Sequence, residues 1–297
     1  MGFDRLDLSV PAHRIGLGLA ALGRPGYINL GRDRDLPAER TVEAMRRRTH
    51  DVLDAAYASG MRYFDAARSY GRAEEFLASW LDDRPDVVVG SKWGYTYVAG
   101  WRVDAKVHET KDHGVATFER QVAESRALFG ERLDLYQIHS VTPDSSALTD
   151  PVLHRHLADL ASRGVTIGIS TSGARQAEAI RTALAVEVDG APLFNAVQAT
   201  WNPLEPSAGP ALEEAHAAGR HVIIKEAVAN GRLADRDAEV LANALAQPWV
   251  DVVLSGAATT AQLASNLRAL EITDSGNLPA AETPDDYWRH RSALPWS

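Results

Sequence analysis

The sequence predicts a (β/α)8 barrel formed as one domain over residues 1–297, and three observations carry that expectation. Short apolar or β-branched runs alternate with stretches whose apolar residues recur at three and four, as buried parallel strands joined by amphipathic helices require. Eight such runs occur, each followed by a helix-like stretch. The 297 residues are also close to the ~250 typical of that barrel. An open, doubly wound sheet meets the same alternation and stands as the second architecture.

The strand-like runs are 14–19 (RIGLGL), 62–66 (RYFDA), 87–92 (VVVGSK), 133–139 (LDLYQIH), 166–170 (TIGIS), 196–200 (AVQAT), 221–226 (HVIIKE) and 250–254 (VDVVL). Helix-like stretches cover 47–59, 73–81, 116–129, 151–162, 174–184, 209–217, 237–246 and 260–270. Gly60, Gly164 and Gly219 stand where the helices before the second, fifth and seventh strands should stop. Three stretches escape the pattern: 24–45, the third βα loop at 93–114, and the tail at 271–297 with Tyr287, Trp288 and Trp296. Long irregular segments in a compact barrel are often functional.

Composition narrows the partners. Lys and Arg number 31 against 40 Asp and Glu, a formal charge of -9, which argues against a broad basic face for nucleic acid or anionic membrane. The absence of Cys excludes disulfides, thiolate metal sites and cysteine nucleophiles. No apolar run reaches signal-peptide or membrane-span length, so a cytoplasmic protein with a small-molecule partner is expected. Leu6 stands where a myristoylation signal needs Ser or Thr. His154 and His156 point to different sides of a helix, and His108 and His113 lack carboxylates at ligand spacing, so no metal is expected. GLGLAALG at 16–23 lacks the GxGxxG fingerprint and the phosphate-loop GK[ST].

The carboxyl ends of the strands hold the chemistry of such a barrel. Asp65 ends the second strand with Tyr70 five residues on, Lys92 ends the third and His139 the fourth. One such residue alone is commonly a cap or a satisfied core group; three consecutive strand ends point to a site. A nearby ammonium favours the phenolate of a tyrosine, so Lys92 is expected to lower the Tyr70 phenol, with Asp65 keeping Lys92 charged. His139 would orient a carbonyl, and the group suits proton transfer at an oxygen whose carbon exchanges hydride. Lys92 or Lys225 at the mouth would alternatively support a Schiff-base lyase.

The chain resembles the aldo-keto reductases over nearly its whole length, through RIGLG at 14–18, YFDAARSYG at 63–71, GSKWG at 90–94, LDLYQIHS at 133–140, IGIS at 167–170, AVQATWNPLEP at 196–206, NGRL at 230–233 and LSGAATTAQLASNL at 254–267. The resemblance implies a catalytic tetrad of Asp65, Tyr70, Lys92 and His139, with Tyr70 as acid/base, and a nicotinamide cofactor bound without a Rossmann fold. It implies that Ser170 and Gln198 hold the carboxamide, that Gly231, Arg232 and Leu233 lie along the pyrophosphate, and that Gly256, Thr259, Thr260, Gln262 and Asn266 hold the adenosine end. Gln198 as a plain strand-end polar group and Gly256 as a turn glycine are the structural alternatives. The implied activity is interconversion of an aldehyde, ketone or aldose with its alcohol or lactone. A nicotinamide-binding regulatory subunit is the other reading.

Three positions depart from the family pattern. Thr171 stands where Asn is usual, and Lys225 with Glu226 stands where an aromatic ring is usual. Ala258 and Gln262 replace the common cations at the 2'-phosphate, so NADP, the family habit, is expected with NAD tolerated. HVIIKEA is apolar enough to be a buried strand, which places Lys225 at the cofactor site. Trp93 and Trp201 are candidates for the substrate pocket, and Trp93, Tyr95, Tyr97 and Trp101 either line an apolar pocket or pack on the barrel.

Overall fold

The computed structural model describes residues 2–28, 30 and 35–296. Met1, Ser297 and positions 29 and 31–34 of the irregular stretch 24–45 lie outside the described residues. Eight parallel strands close into a barrel: β1 (Ile15–Gly18), β2 (Tyr63–Asp65), β3 (Val88–Trp93), β4 (Leu133–Val141), β5 (Thr166–Thr171), β6 (Ala196–Thr200), β7 (His221–Lys225) and β8 (Val252–Ser255). Each strand pairs with its neighbours in sequence and β8 closes onto β1, with Ile15 beside Val253. The open sheet is thereby excluded.

The strands are followed by α1 (Val42–Ala58), α2 (Ala73–Ala78), α3 (Val115–Phe129), α4 (Pro151–Ala161), α5 (Gln176–Leu184), α6 (Gly209–Ala217), α7 (Asp237–Leu245) and α8 (Thr260–Leu267). Gly60, Gly164 and Gly219 all have positive φ, at 91°, 89° and 77°, so each turns the chain out of a helix in a conformation that a Cβ disfavours. Helix α1 starts five residues before the expected 47, because the Thr41 hydroxyl accepts from the Ala44 N–H at 3.2 Å and caps it.

The expected irregular stretches contain structure. In the third βα loop, Tyr95–Tyr97 and Glu109–Lys111 form an antiparallel hairpin. The tail carries α9 (Pro284–Ser292), with Thr283 accepting from Asp286 N–H at its start. No helix among the described residues is long and apolar enough to cross a membrane.

The core forms two layers. Most buried apolar side chains lie in one large cluster of strand and helix residues. A smaller cluster joins Tyr63, Val88, Leu135, Ala196, Ile223 and Val252 with Phe3 and Leu6. Phe3, in a short 3-10 helix at Gly2–Arg5, meets Tyr63 edge-on at 4.9 Å and His221 at 4.8 Å. This N-terminal plug fills one end of the barrel and leaves the carboxyl ends of the strands as its mouth.

Candidate active site

Strand periodicity decides what reaches the centre of the mouth. Successive side chains face opposite sides, so the residues two and four beyond the inner cluster also face inward. Counting from Tyr63, Val88, Leu135, Ala196 and Ile223, these are Asp65, Lys92, Gln137 and His139, Gln198 and Lys225. Asp65 and Lys92 are 1% and 0% exposed. Lys92 Nζ pairs with Asp65 Oδ2, donates to the Ala66 carbonyl at 3.0 Å and lies 3.3 Å from Tyr70 Oη. Asp65 Oδ1 accepts from Tyr63 Oη at 2.9 Å and from Gln198 Nε2 at 3.1 Å. A buried ion pair persists only when its remaining lone pairs and protons are met in this way.

Tyr70 reaches the cluster from the loop after β2, edge-on to His139 with ring centroids 5.4 Å apart. Burial pushes its phenol well above the ordinary value and the Asp65 charge adds to this, while Arg24 opposes it. This corrects the expectation that Lys92 would lower the phenol: burial and the Asp65 charge outweigh the ammonium 3.3 Å away. Burial and the Lys92 charge hold His139 well below its ordinary range, so its ring is neutral.

A cavity of about 250 Å³ opens above these groups. Asp65, Gln198, Lys225 and Glu226 form polar walls, and Tyr27, Tyr70, Tyr95 and Trp296 supply aromatic ones. The two pocket tryptophans expected from the sequence are corrected: neither lines this cavity. Trp93 is fully buried on the outer face of β3 against Phe118 and His113, and Trp201 packs edge-on to Trp249 at 5.6 Å. Tyr95, on the loop hairpin, does line it.

Lys225 and Glu226 terminate β7 at the cavity. Lys225 Nζ donates to Thr200 Oγ1 at 2.8 Å and lies 3.8 Å from Glu226. Arg291 of α9 grips Glu226 with Nε 3.0 and 2.9 Å from the two carboxylate oxygens and Nη2 at 2.5 Å. Burial alone would raise Glu226, but the Arg291 and Lys225 charges hold it at about 2; burial lowers Lys225 to about 8. Tyr287, accepting from Asn202 at 3.0 Å, and Trp288, donating to Glu205 at 3.4 Å, seat the same helix beside β6. Arg291, Arg24 and Glu109 escaped the sequence reasoning, and Trp296 was marked only as part of an irregular tail, since no local pattern shows that a tail or loop residue folds back over the mouth.

The residues named for the cofactor are unevenly disposed. Ser170 Oγ accepts from the Ser140 N–H at 2.9 Å. Gln198 keeps a buried Oε1 without a partner among the described residues, an acceptor suited to a carboxamide amino group. Thr171 bonds Gln176 at 3.1 Å, and Ser172 faces the cavity instead. Gly256 also lines the cavity, with open space where a Cβ would stand. The Gly231, Arg232 and Leu233 amides donate within their own loop, and the Arg232 guanidinium pairs with Glu282. Thr259 caps α8, whose first residue is Thr260; Gln262 accepts from Ala258 N–H at 2.9 Å, and Asn266 bridges Ser255 and Asp237.

Fold and cluster together define a (β/α)8-barrel protein with a buried cluster of ionisable groups at its mouth. The chain belongs to the aldo/keto reductase family, whose model matches residues 14–242. That family comprises oxidoreductases that use a nicotinamide cofactor. The chain is 28% identical over 184 residues to aldo-keto reductase str7 of Strobilurus tenacellus, a match covering 59% of this chain; it spans about half (47%) of that relative's length. A crystal structure assigned to the aldo-keto reductases from Pseudomonas aeruginosa superposes with a TM-score of 0.67 at 25% identity, covering 87% of this chain and 89% of that one. The holo form of aldo-keto reductase AKR11C1 from Bacillus halodurans shares the fold, with a TM-score of 0.61 at 20% identity over 95% and 92% of the two chains.

Proposed function

We propose that the protein is an NAD(P)-dependent oxidoreductase that interconverts an aldehyde, ketone or aldose with the corresponding alcohol or lactone, Tyr70 being the acid/base. The observation that carries this reading is the approach of Tyr70 Oη to within 3.3 Å of Lys92 Nζ at the floor of a cavity that also holds the unpartnered Gln198 Oε1. A bound nicotinamide supplies or accepts hydride. Gln198 and Ser170 would hold its carboxamide, and Lys225, with Gly256 nearby, would lie along its path. Tyr70 gives a proton to the carbonyl oxygen in reduction and takes it back in oxidation, while neutral His139 directs that oxygen by donating a hydrogen bond. Lys92, paired with Asp65, stands ready to stabilise the phenolate as it forms. NADP is the expected cofactor, with NAD tolerated.

Absorbance of the reduced cofactor, followed against aldehydes, ketones, aldoses and polyols, tests the proposal. Turnover of at least one class is expected. Cofactor binding without turnover of any compound would favour a regulatory subunit instead. Lys225, lowered to about 8 by burial, is the one feature that favours a Schiff-base lyase. Borohydride treatment with a carbonyl compound should leave Lys225 unmodified; a trapped adduct there would reverse the choice.

A further inference from the structure

Arg24 is 2% exposed, and its guanidinium is enclosed by three aromatic rings, with centroids at 4.9 Å (Tyr27), 5.2 Å (Tyr70) and 4.8 Å (Trp296). Its Nε donates to the Ala20 carbonyl at 3.3 Å, and its Nη1 to the Ser69 carbonyl at 3.1 Å and to Glu109 Oε1 at 2.5 Å. Ser69 is the residue before Tyr70, so Arg24 holds both the backbone and the ring of that turn. The approach is close: a Cβ on Gly23 would fall 2.2 Å from the Tyr70 carbonyl oxygen, and one on Gly71 would fall 2.5 Å from the Gly23 carbonyl oxygen. Arg72 N–H closes the contact by donating to that carbonyl at 2.7 Å. Glu109 comes from the third-loop hairpin, whose His108 stacks flat on Trp296 at 4.0 Å.

We propose that Arg24, held by Glu109, is a positioning residue for Tyr70: it fixes the turn that presents the phenol and places a second positive charge against the ring, which Lys92 Nζ also approaches, at 4.8 Å from its centroid. Arg24 also borders the cavity, but its Nε and Nη1 donors are taken up by the turn and by Glu109, which ties it to Tyr70. This inference rests on Tyr70 being the acid of the proposed reaction, and it explains how a buried phenol beside Asp65 is kept usable. The charges facing Tyr70 are Asp65 from β2, Lys92 from β3, Glu226 beyond β7, Arg24 from the first βα loop and Glu109 from the hairpin; His139 and Tyr27 face it as neutral groups. Arg24 lowers the phenol, whereas Asp65, Glu109 and Glu226 raise it.

Opposite substitutions should therefore move the phenol in opposite directions. Arg24→Met removes the cation and should raise the Tyr70 midpoint; Glu109→Gln leaves Arg24 unmatched and should lower it; Arg24→Lys should lie between Arg24→Met and the parent. The readout is fluorine NMR of cofactor-free protein labelled with 3-fluorotyrosine, the residue-70 resonance being assigned by its loss in Tyr70→Phe. In parallel, the alkaline limb of kcat/KM with NADPH and 4-nitrobenzaldehyde should follow the same order, since reduction needs the protonated phenol. Midpoints unchanged in both Arg24→Met and Glu109→Gln would overturn the proposal and leave the ion pair a purely structural clamp. Should Arg24→Met fail to fold, Glu109→Gln and Arg24→Lys still decide the sign. Tyr70→Phe that stays active would overturn the acid assignment, while the fluorine midpoints continue to report on Arg24.

Discussion

The Glu226–Arg291 pair fixes the tail helix to the rim of the barrel, and Glu226→Gln tests it most sharply. The carboxyl lies at about 2 against an ordinary 4.5. At roughly 1.4 kcal/mol per pH unit, that difference stabilises the folded state by about 3 kcal/mol at neutral pH. Glu226 is 8% exposed and Arg291 21%, so solvent screens little of this. Removing one partner of a buried pair typically costs about 3–5 kcal/mol, because the other is left charged and unmatched, and the two figures agree. The folded value lies below the unfolded one. The stabilisation is therefore complete above pH 4.5 and is lost as pH falls from 4.5 toward 2. Urea denaturation of parent and variant should differ by about 3 kcal/mol at pH 7 and by about half that at pH 3. Hydrogen exchange over α9 should rise in step, with Trp288 fluorescence reporting the same change, since Arg291 lies 5.3 Å from its ring. A difference under about 0.5 kcal/mol at pH 7, the size of a surface substitution, would refute the reasoning. So would a difference equally large at both pH values.

Lys225→Ala should weaken cofactor binding more than it lowers the melting temperature of the cofactor-free protein; an unchanged dissociation constant would remove Lys225 from the cofactor site. Gly23→Ala should destabilise the fold by about 2 kcal/mol or more in chemical denaturation and slow turnover, because its Cβ meets the Tyr70 carbonyl oxygen and Ala73 Cβ at 2.2 and 2.4 Å. Preference for NADPH over NADH should be modest in competing titrations, since Ala258 is buried and Gln262 bonds the Ala258 amide. A preference of a thousandfold or more would reveal a cation facing the 2'-phosphate.

The eight strands were legible because a parallel strand buried on both faces has to be an apolar run, as in VVVGSK and HVIIKEA, and the helix ends at Gly60, Gly164 and Gly219 were legible because few other residues accept those dihedrals. The clustering of Asp65, Tyr70, Lys92 and His139 was legible because each is tied to a strand end by a fixed short spacing. The start of α1 was not read, although Thr41 caps it, because its first turn is polar and shows no apolar period. Helix α9 carries a Thr-Pro-Asp-Asp start at 283–286, a local signal overlooked beside the irregular tail. Arg24 is of another kind. Its partners Ser69 and Glu109 lie 45 and 85 residues away, and no window of sequence contains them together. Trp93 and Trp201 misled for a physical reason: an aromatic at a strand end faces the mouth or the helices according to parity, and both face outward.

The most direct measurement of the central claim is single-turnover reduction by Tyr70→Phe, with cofactor affinity titrated on the same protein. On the proposed reading the phenol contributes a proton and little of the cofactor's contact surface. The account predicts a rate lower by about a hundredfold to ten-thousandfold with a dissociation constant for NADPH close to the parental one. A variant that reduces carbonyls within a few-fold of the parent would contradict it.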